Sequence, residues 1–152
     1  MRRDKDNYYL DIAEIVLERS TCLRRQYGAV IVKDDEIIAT GYTGSPRGKK
    51  NCCDIGECER IKNNVPHGSN YELCESVHAE MNAIISASRK DMIGSTLYLV
   101  GIQPLGCGLN EYVKDAQPCS ICKKLIINAG IEKVIVRTNK DEFKTMEVSE
   151  WK

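Results

Sequence analysis

The sequence predicts an α/β fold: a three-layer α/β/α sandwich around a central mixed sheet of about five strands. Two observations predict it. Apolar residues recur at helical spacing in three separated stretches, and short aliphatic, β-branched runs lie between them. The length of 152 residues suits one domain over 1–152, with a core of about 7–137.

The elements follow in order. Tyr9, Ile12, Ala13, Val16 and Leu17 recur as one face of a helix over roughly residues 7–19. Ala29-Val30-Ile31-Val32 and Ile37-Ile38-Ala39 flank Asp34-Asp35 as the strands of a β-hairpin. Residues 41–70 are rich in Gly, Pro, Asn and Cys and predict a loop. Ser76 is placed to cap a helix running to about Arg89, with Met81, Ile84, Ile85 and Ser88 approximating its buried face. Thr96 to Val100 is a β-branched and aliphatic strand. Residues 101–117 read as a long loop, either a lid over a site or surface decoration. Pro118 opens a helix near Cys119 that stops at Ala129-Gly130, and Lys133 to Arg137 is another strand. Residues 138–152 suit a peripheral strand or a short helix.

Composition excludes several classes. Lys and Arg number 22 against 22 Asp and Glu, so the formal net charge is zero. That argues against holding nucleic acid by bulk charge, while leaving room for a local basic pocket for one phosphate. Aromatics make up 6%, too few for single-strand stacking platforms. No apolar run reaches the roughly 18 residues of a membrane span. Met1-Arg2-Arg3-Asp4 leads into an amphipathic stretch and not a signal-peptide core. The expected compartment is the cytoplasm, with neither nucleic acid nor membrane as partner.

Eight cysteines stand beside two histidines, His67 and His78. In a cytoplasmic chain they read as metal ligands or catalytic thiols before disulfides; the alternative is scattered core thiols. Two motifs decide for a metal: His78-Ala79-Glu80 and Pro118-Cys119-Ser120-Ile121-Cys122. An imidazole and two thiolates make a three-ligand set suited to a catalytic zinc that keeps one position for water. Cys119 and Cys122, i and i+3 at a helix start, can face one ion, and the helix dipole there favours thiolates. Glu80 stands in the same turn as His78, free to move protons without ligating. The order H-x-E…P-C-x-x-C is the pattern of zinc-dependent nucleobase deaminases. Either half alone is weak, since C-x-x-C also serves redox pairs and structural zinc sites.

The sequence resembles the cytidine/deoxycytidylate deaminase superfamily, and within it the zinc-dependent deoxycytidylate (dCMP) deaminases. Beyond the two motifs, the resemblance rests on Arg19-Ser20-Thr21-Cys22, Gly28 to Val32, Ile37 to Tyr42, Val77 to Ile84 and Leu125 to Ile131. It implies a cytidine deaminase-like sandwich and hydrolysis of dCMP to dUMP and ammonia, which feeds thymidylate synthesis. It also implies a homo-oligomer, hexamer or dimer, and effector control by dCTP with Mg2+ and by dTTP. By the same resemblance the Ala79 backbone N–H holds the base carbonyl. Arg24 contacts the nucleotide phosphate, or is a solvated surface arginine. Arg89 serves an interface or effector signal, or is a cation at a helix C-terminus. Two departures stand out. Thr43 replaces the Asn of the usual Gly-Tyr-Asn-Gly, offering one hydroxyl where an amide both donates and accepts. The 101–117 segment is much longer than the turn relatives have there.

Six cysteines remain: Cys22, Cys52, Cys53, Cys58, Cys74 and Cys107. Some dCMP deaminases carry a second, structural zinc, and Cys22 and Cys52 match positions used there. A loop over about 44–74 with few apolar residues needs a staple, and four N/S ligands supply one. The expected set is Cys22, Cys52, Cys58 and either Cys74 or His67, against free thiols. Three rival functions stay open: deamination of another free substrate (CMP, cytidine or guanine), a tRNA or single-strand deaminase, and a non-catalytic zinc module that would leave Glu80 without a role.

Overall fold

A computed structural model describes residues 1–66 and 68–152, with Tyr71 described in its backbone alone. Helix α1 spans Lys5–Leu17, capped by Asp4, whose carboxylate accepts the Asn7 amide at 3.1 Å. Strands β1 (Gln26–Lys33) and β2 (Glu36–Tyr42) form the expected hairpin. Asp34 and Asp35 both turn through positive φ, the conformation that matches the strand twist in a two-residue turn. Short helices α2 (Cys52–Ile55) and α3 (Glu59–Lys62) interrupt the following loop. Then come α4 (Ala79–Ile85), α5 (Arg89–Met92), β3 (Thr96–Gly106), β4 (Leu109–Tyr112), α6 (Ser120–Ala129), β5 (Lys133–Asn139) and β6 (Glu142–Glu147).

The sheet runs β2-β1-β3-β5-β6, with β4 pairing the outer half of β3. Among the described residues only β3 and β5 pair parallel, so the sheet is mixed. Alternate strand residues serve opposite faces. Ala29, Ile31, Leu97, Leu99, Val134 and Val136 pack with Ala79 and Ala83 of α4 and Ile126 of α6. Val30, Val32, Tyr98, Val100 and Ile135 pack with Tyr9, Leu10, Ala13 and Leu17 of α1. This is the expected three-layer sandwich. Arg137, 1% exposed on β5, ties α1 to the sheet through Asp11 at 2.8 Å and the Asn7 carbonyl at 3.2 Å.

Two expectations change. The helix over Ser76 to Arg89 is two helices, and its N-cap is His78 and not Ser76. Ser86 is the C-cap of the first helix, and Ser88 caps α5 by accepting the Asp91 amide at 3.3 Å, a local bond that favours a new helix start over continuation of α4. Residues 101–117 are not a loop: most of them form the β3–β4 hairpin, registered from Ile102↔Tyr112 to Gly106↔Leu109. Its turn, Gly106-Cys107-Gly108, runs at positive φ throughout and hides the strand alternation. The peripheral strand expected within 138–152 is present: β6 pairs antiparallel with β5 and completes the sheet edge. Among the described residues no helix is long and apolar enough to cross a membrane.

Candidate active site

The site forms where α4 and α6 begin, on one face of the sheet. Helix α4 is seated by β2. Gly41 allows the seat, since a Cβ there would collide with the Ala79 carbonyl and the Ala83 amide. Asn82 donates its side-chain amide to the Tyr42 carbonyl at 2.8 Å. Val77, just before His78, exchanges two backbone hydrogen bonds with Gly44, at 2.7 and 3.2 Å. The approach to the helix is thereby fixed, and the His78 ring turns toward α6. Helix α6 starts at its N-cap Cys119, whose sulfur accepts the Cys122 amide at 3.4 Å, and ends at Gly130 with φ 85°.

His78 Nδ1 stands 3.5 Å from Cys119 Sγ and 3.4 Å from Cys122 Sγ. The three donor atoms lie within 4.8 Å of one another, alone among the described His, Cys, Asp and Glu in forming such a group. One nitrogen and two sulfurs suit zinc and leave a ligand position for water. The Cys119 thiol is pulled down to about 4 by its hydrogen bonds with Cys122 and His78 and by the Cys122 amide, despite partial burial. The Cys122 thiol moves up, through the hydrogen bond to Cys119 and burial. His78 is raised, chiefly by its bond to the Cys119 sulfur, against burial. In the first turn of α4, Glu80 is 5% exposed, and burial lifts its carboxyl above the usual range. A carboxyl so poised exchanges protons nearer neutrality than a solvated one.

These groups open on a cavity of about 450 Å³. Arg24 and Thr43 line it, and so do Arg25, Arg60 and Lys123, which the sequence reading did not pick out. Lys123 was legible, four residues after Cys119 on one helix face; nothing in the spacing marked Arg60. The Thr43 hydroxyl is engaged by β1, accepting the Tyr27 amide at 3.2 Å. Ala79 is buried at the first position of α4, where an amide has no acceptor within the helix. Asp115 and Gln117 reach the cavity, but β4 does not; only the end of the 101–117 segment bears on the site. Arg89 opens α5 and donates from Nε to the Asn128 carbonyl at 2.8 Å, tying α5 to the end of α6.

Burial and the nearby Cys22, Cys58 and Cys74 raise the Cys52 thiol, so these three thiols are neighbours of Cys52. Among the described residues they do not close to ligating distance of one ion. His67, the other candidate for that set, lies outside the described residues.

The family model for the cytidine and deoxycytidylate deaminase zinc-binding region matches residues 3–138. The chain belongs to this family. The deoxycytidylate deaminase of Mycobacterium phage D29 is 38% identical over 138 residues, covering 88% of this chain and 94% of that one. The deoxycytidylate deaminase of Schizosaccharomyces pombe is 34% identical over 134 residues, 88% of this chain but 37% of the yeast protein. The chain thus spans well under half of that relative. The crystal structure of the dCMP deaminase of cyanophage S-TIM5 in apo form is similar at a TM-score of 0.62 and 28% identity, over 92% of this chain and 89% of that one. Its complex with dCMP and dUMP gives 0.60 and 27%, over 90% and 83%. The family match over residues 3–138 includes both deaminase motifs.

Proposed function

We propose that this chain is a dCMP deaminase, a hydrolase that converts dCMP and water to dUMP and ammonia. One observation carries the reading: His78 and Cys119, grouped with the buried Cys122, line with Glu80 a cavity whose walls include Arg24, Arg25, Arg60 and Lys123, in a chain of zero net charge. The donors suit zinc chemistry, and the cations suit a substrate bearing phosphate.

His78, Cys119 and Cys122 would hold the zinc, which would supply a nucleophilic water near neutral pH. Glu80 takes one proton from the attacking water and gives it to the ring nitrogen beside C4, then carries the second, from the new C4 hydroxyl, to the departing amine. The new C4–O bond replaces the C4–N bond, and ammonia leaves. The Ala79 amide holds the base carbonyl, Arg24 contacts the phosphate, and Thr43 walls the cavity. The finer reading includes a second, structural zinc on Cys22, Cys52, Cys58 and Cys74 or His67. It also includes a homo-oligomer in the cytoplasm, dCTP and dTTP as effectors with Mg2+ accompanying dCTP, and dUMP delivered to thymidylate synthesis.

The test is ammonia release from dCMP, with CMP and deoxycytidine in parallel, with and without dCTP and Mg2+, on protein shown to hold zinc. Strong preference for dCMP is expected. Zinc-loaded protein that leaves dCMP untouched refutes the reading.

A further inference from the structure

The proposed reaction uses the metal donors and Glu80 directly, yet says little of what selects a nucleotide over a nucleoside. The cations lining the cavity differ in kind. Lys123 donates to Gln117 Oε1 at 3.0 Å and stands 5.1 Å over the Trp151 ring, so its ammonium is engaged at the α6 end. Arg24 and Arg25 are half-buried on the segment leading into β1. Arg60 is 5% exposed. Its guanidinium is held in orientation: Nη1 donates to the Asn70 carbonyl at 2.9 Å and Nη2 to the Pro66 carbonyl at 2.8 Å. The turn bearing it starts at Cys58, one of the thiols around Cys52, and closes through the Val65 amide on the Arg60 carbonyl at 2.9 Å.

We infer that Arg60 is the specificity-determining contact for the 5′-phosphate of a nucleoside monophosphate, an inference that rests on the deaminase reading. A guanidinium presents several donors in one plane and pairs with phosphate oxygens in a defined geometry. Away from bulk water the attraction is stronger than at a solvated surface. The two carbonyl bonds set the plane in advance, so little order has to be created when a phosphate enters. The cysteine-rich segment is then more than a stapled surface loop. It delivers the cation that tells nucleotide from nucleoside, while α4 and α6 deliver the chemistry.

The test compares binding of dUMP and of deoxyuridine by calorimetry in the zinc-loaded parent, Arg60→Gln, Arg60→Lys and Arg24→Gln. The parent should prefer dUMP. In Arg60→Gln that preference should shrink by roughly 10- to 100-fold, the loss expected for a hydrogen-bonded charge pair. Arg60→Lys, which keeps the charge but not the fork, should fall between. If Arg60→Gln does not fold, Arg60→Lys decides alone: an unchanged dUMP preference overturns the inference. Equal weakening of both ligands in either variant marks Arg60 as a structural brace only and also overturns it. So does a loss of preference in Arg24→Gln that Arg60→Gln lacks, or a parent with no preference for dUMP. Failure of the deaminase reading is separate, since it shows as absent dCMP turnover.

Discussion

Replacing Gly41 by Ala tests whether β2 positions the reacting groups. The backbone at Gly41 has ordinary φ, so an alanine there is strained only by what it meets. Its Cβ would sit well inside contact distance of the Ala79 carbonyl, the Ala83 amide and the Asn82 carbonyl carbon. All three are α4 backbone and cannot swing aside as a side chain would. Carbon contacts settle near 3.5–4.0 Å, so α4 has to retreat from β2 by about 1 Å. His78 and Glu80 sit at the start of that helix and retreat with it. Overpacking of this kind costs about 1–3 kcal/mol, and a displacement of about 1 Å at a reacting centre costs on the order of 100-fold in rate. The assay is kcat/KM for dCMP alongside urea unfolding. Gly48→Ala is the control, because a Cβ at Gly48 meets nothing within 4 Å although φ is 89°. The control should lose about 1 kcal/mol of stability and keep its rate. If Gly41→Ala keeps both, the seat of α4 on β2 is not what aligns the site.

Glu80→Gln should lower turnover by about 100- to 10,000-fold while zinc content, read by metal analysis, stays at the parental level; unchanged turnover would favour the non-catalytic zinc module. Cys22→Ala should lower the thermal midpoint by loosening the 44–74 segment; a midpoint equal to the parent's would remove the second zinc. Asp11→Asn should lower the midpoint by several degrees, since Asp11 bonds Arg3 and the buried Arg137, and charged hydrogen bonds are worth about 1.5–3 kcal/mol. The hydrogen bonds from Arg3, then from Arg137, hold the Asp11 carboxyl below its usual range despite some burial. Its stabilisation is therefore present above the unfolded carboxylate pKa, about 3.9, and fades as pH falls below that toward the folded value. The midpoint of Asp11→Asn should accordingly vary less with pH there than the parent's; identical pH profiles would contradict this.

The chemistry was more legible than the selectivity, and the reason is range. His78, Glu80, Cys119 and Cys122 announce themselves because each pair is held within a single helical turn, so spacing alone encodes geometry. The alternation in 29–32, 96–100 and 133–137 is likewise local, and each run became a strand with its residues split between the two cores. Arg60 has no such signature. Its position depends on carbonyls at Pro66 and Asn70, supplied by a folded turn and not by a repeating spacing. The β3–β4 hairpin was hidden for a similar reason: Pro104 and the Gly106-Cys107-Gly108 turn break the pattern, and only pairing between strands restores it.

The two helix starts divide the work by physical necessity. An N-cap backbone is extended, so His78 and Cys119 can leave their helices at an angle and face each other across the gap. The amides of the first turns point the same way and favour negative charge, which suits a thiolate at Cys119 and a base carbonyl at Ala79. Such a constellation handles any aminated ring that fits, and it carries no information about a phosphate on the far side of a sugar. Selection has to come from cations set away from the metal donors, on chain that can change without disturbing α4 or α6. The turn that carries Arg60 meets that requirement: it lines the cavity, yet its short helix lies outside the sheet. Exchanging residues 59–66, which leaves the Gly44–Val77 pairing before α4 in place, should therefore move substrate preference while the donors and Glu80 keep their geometry.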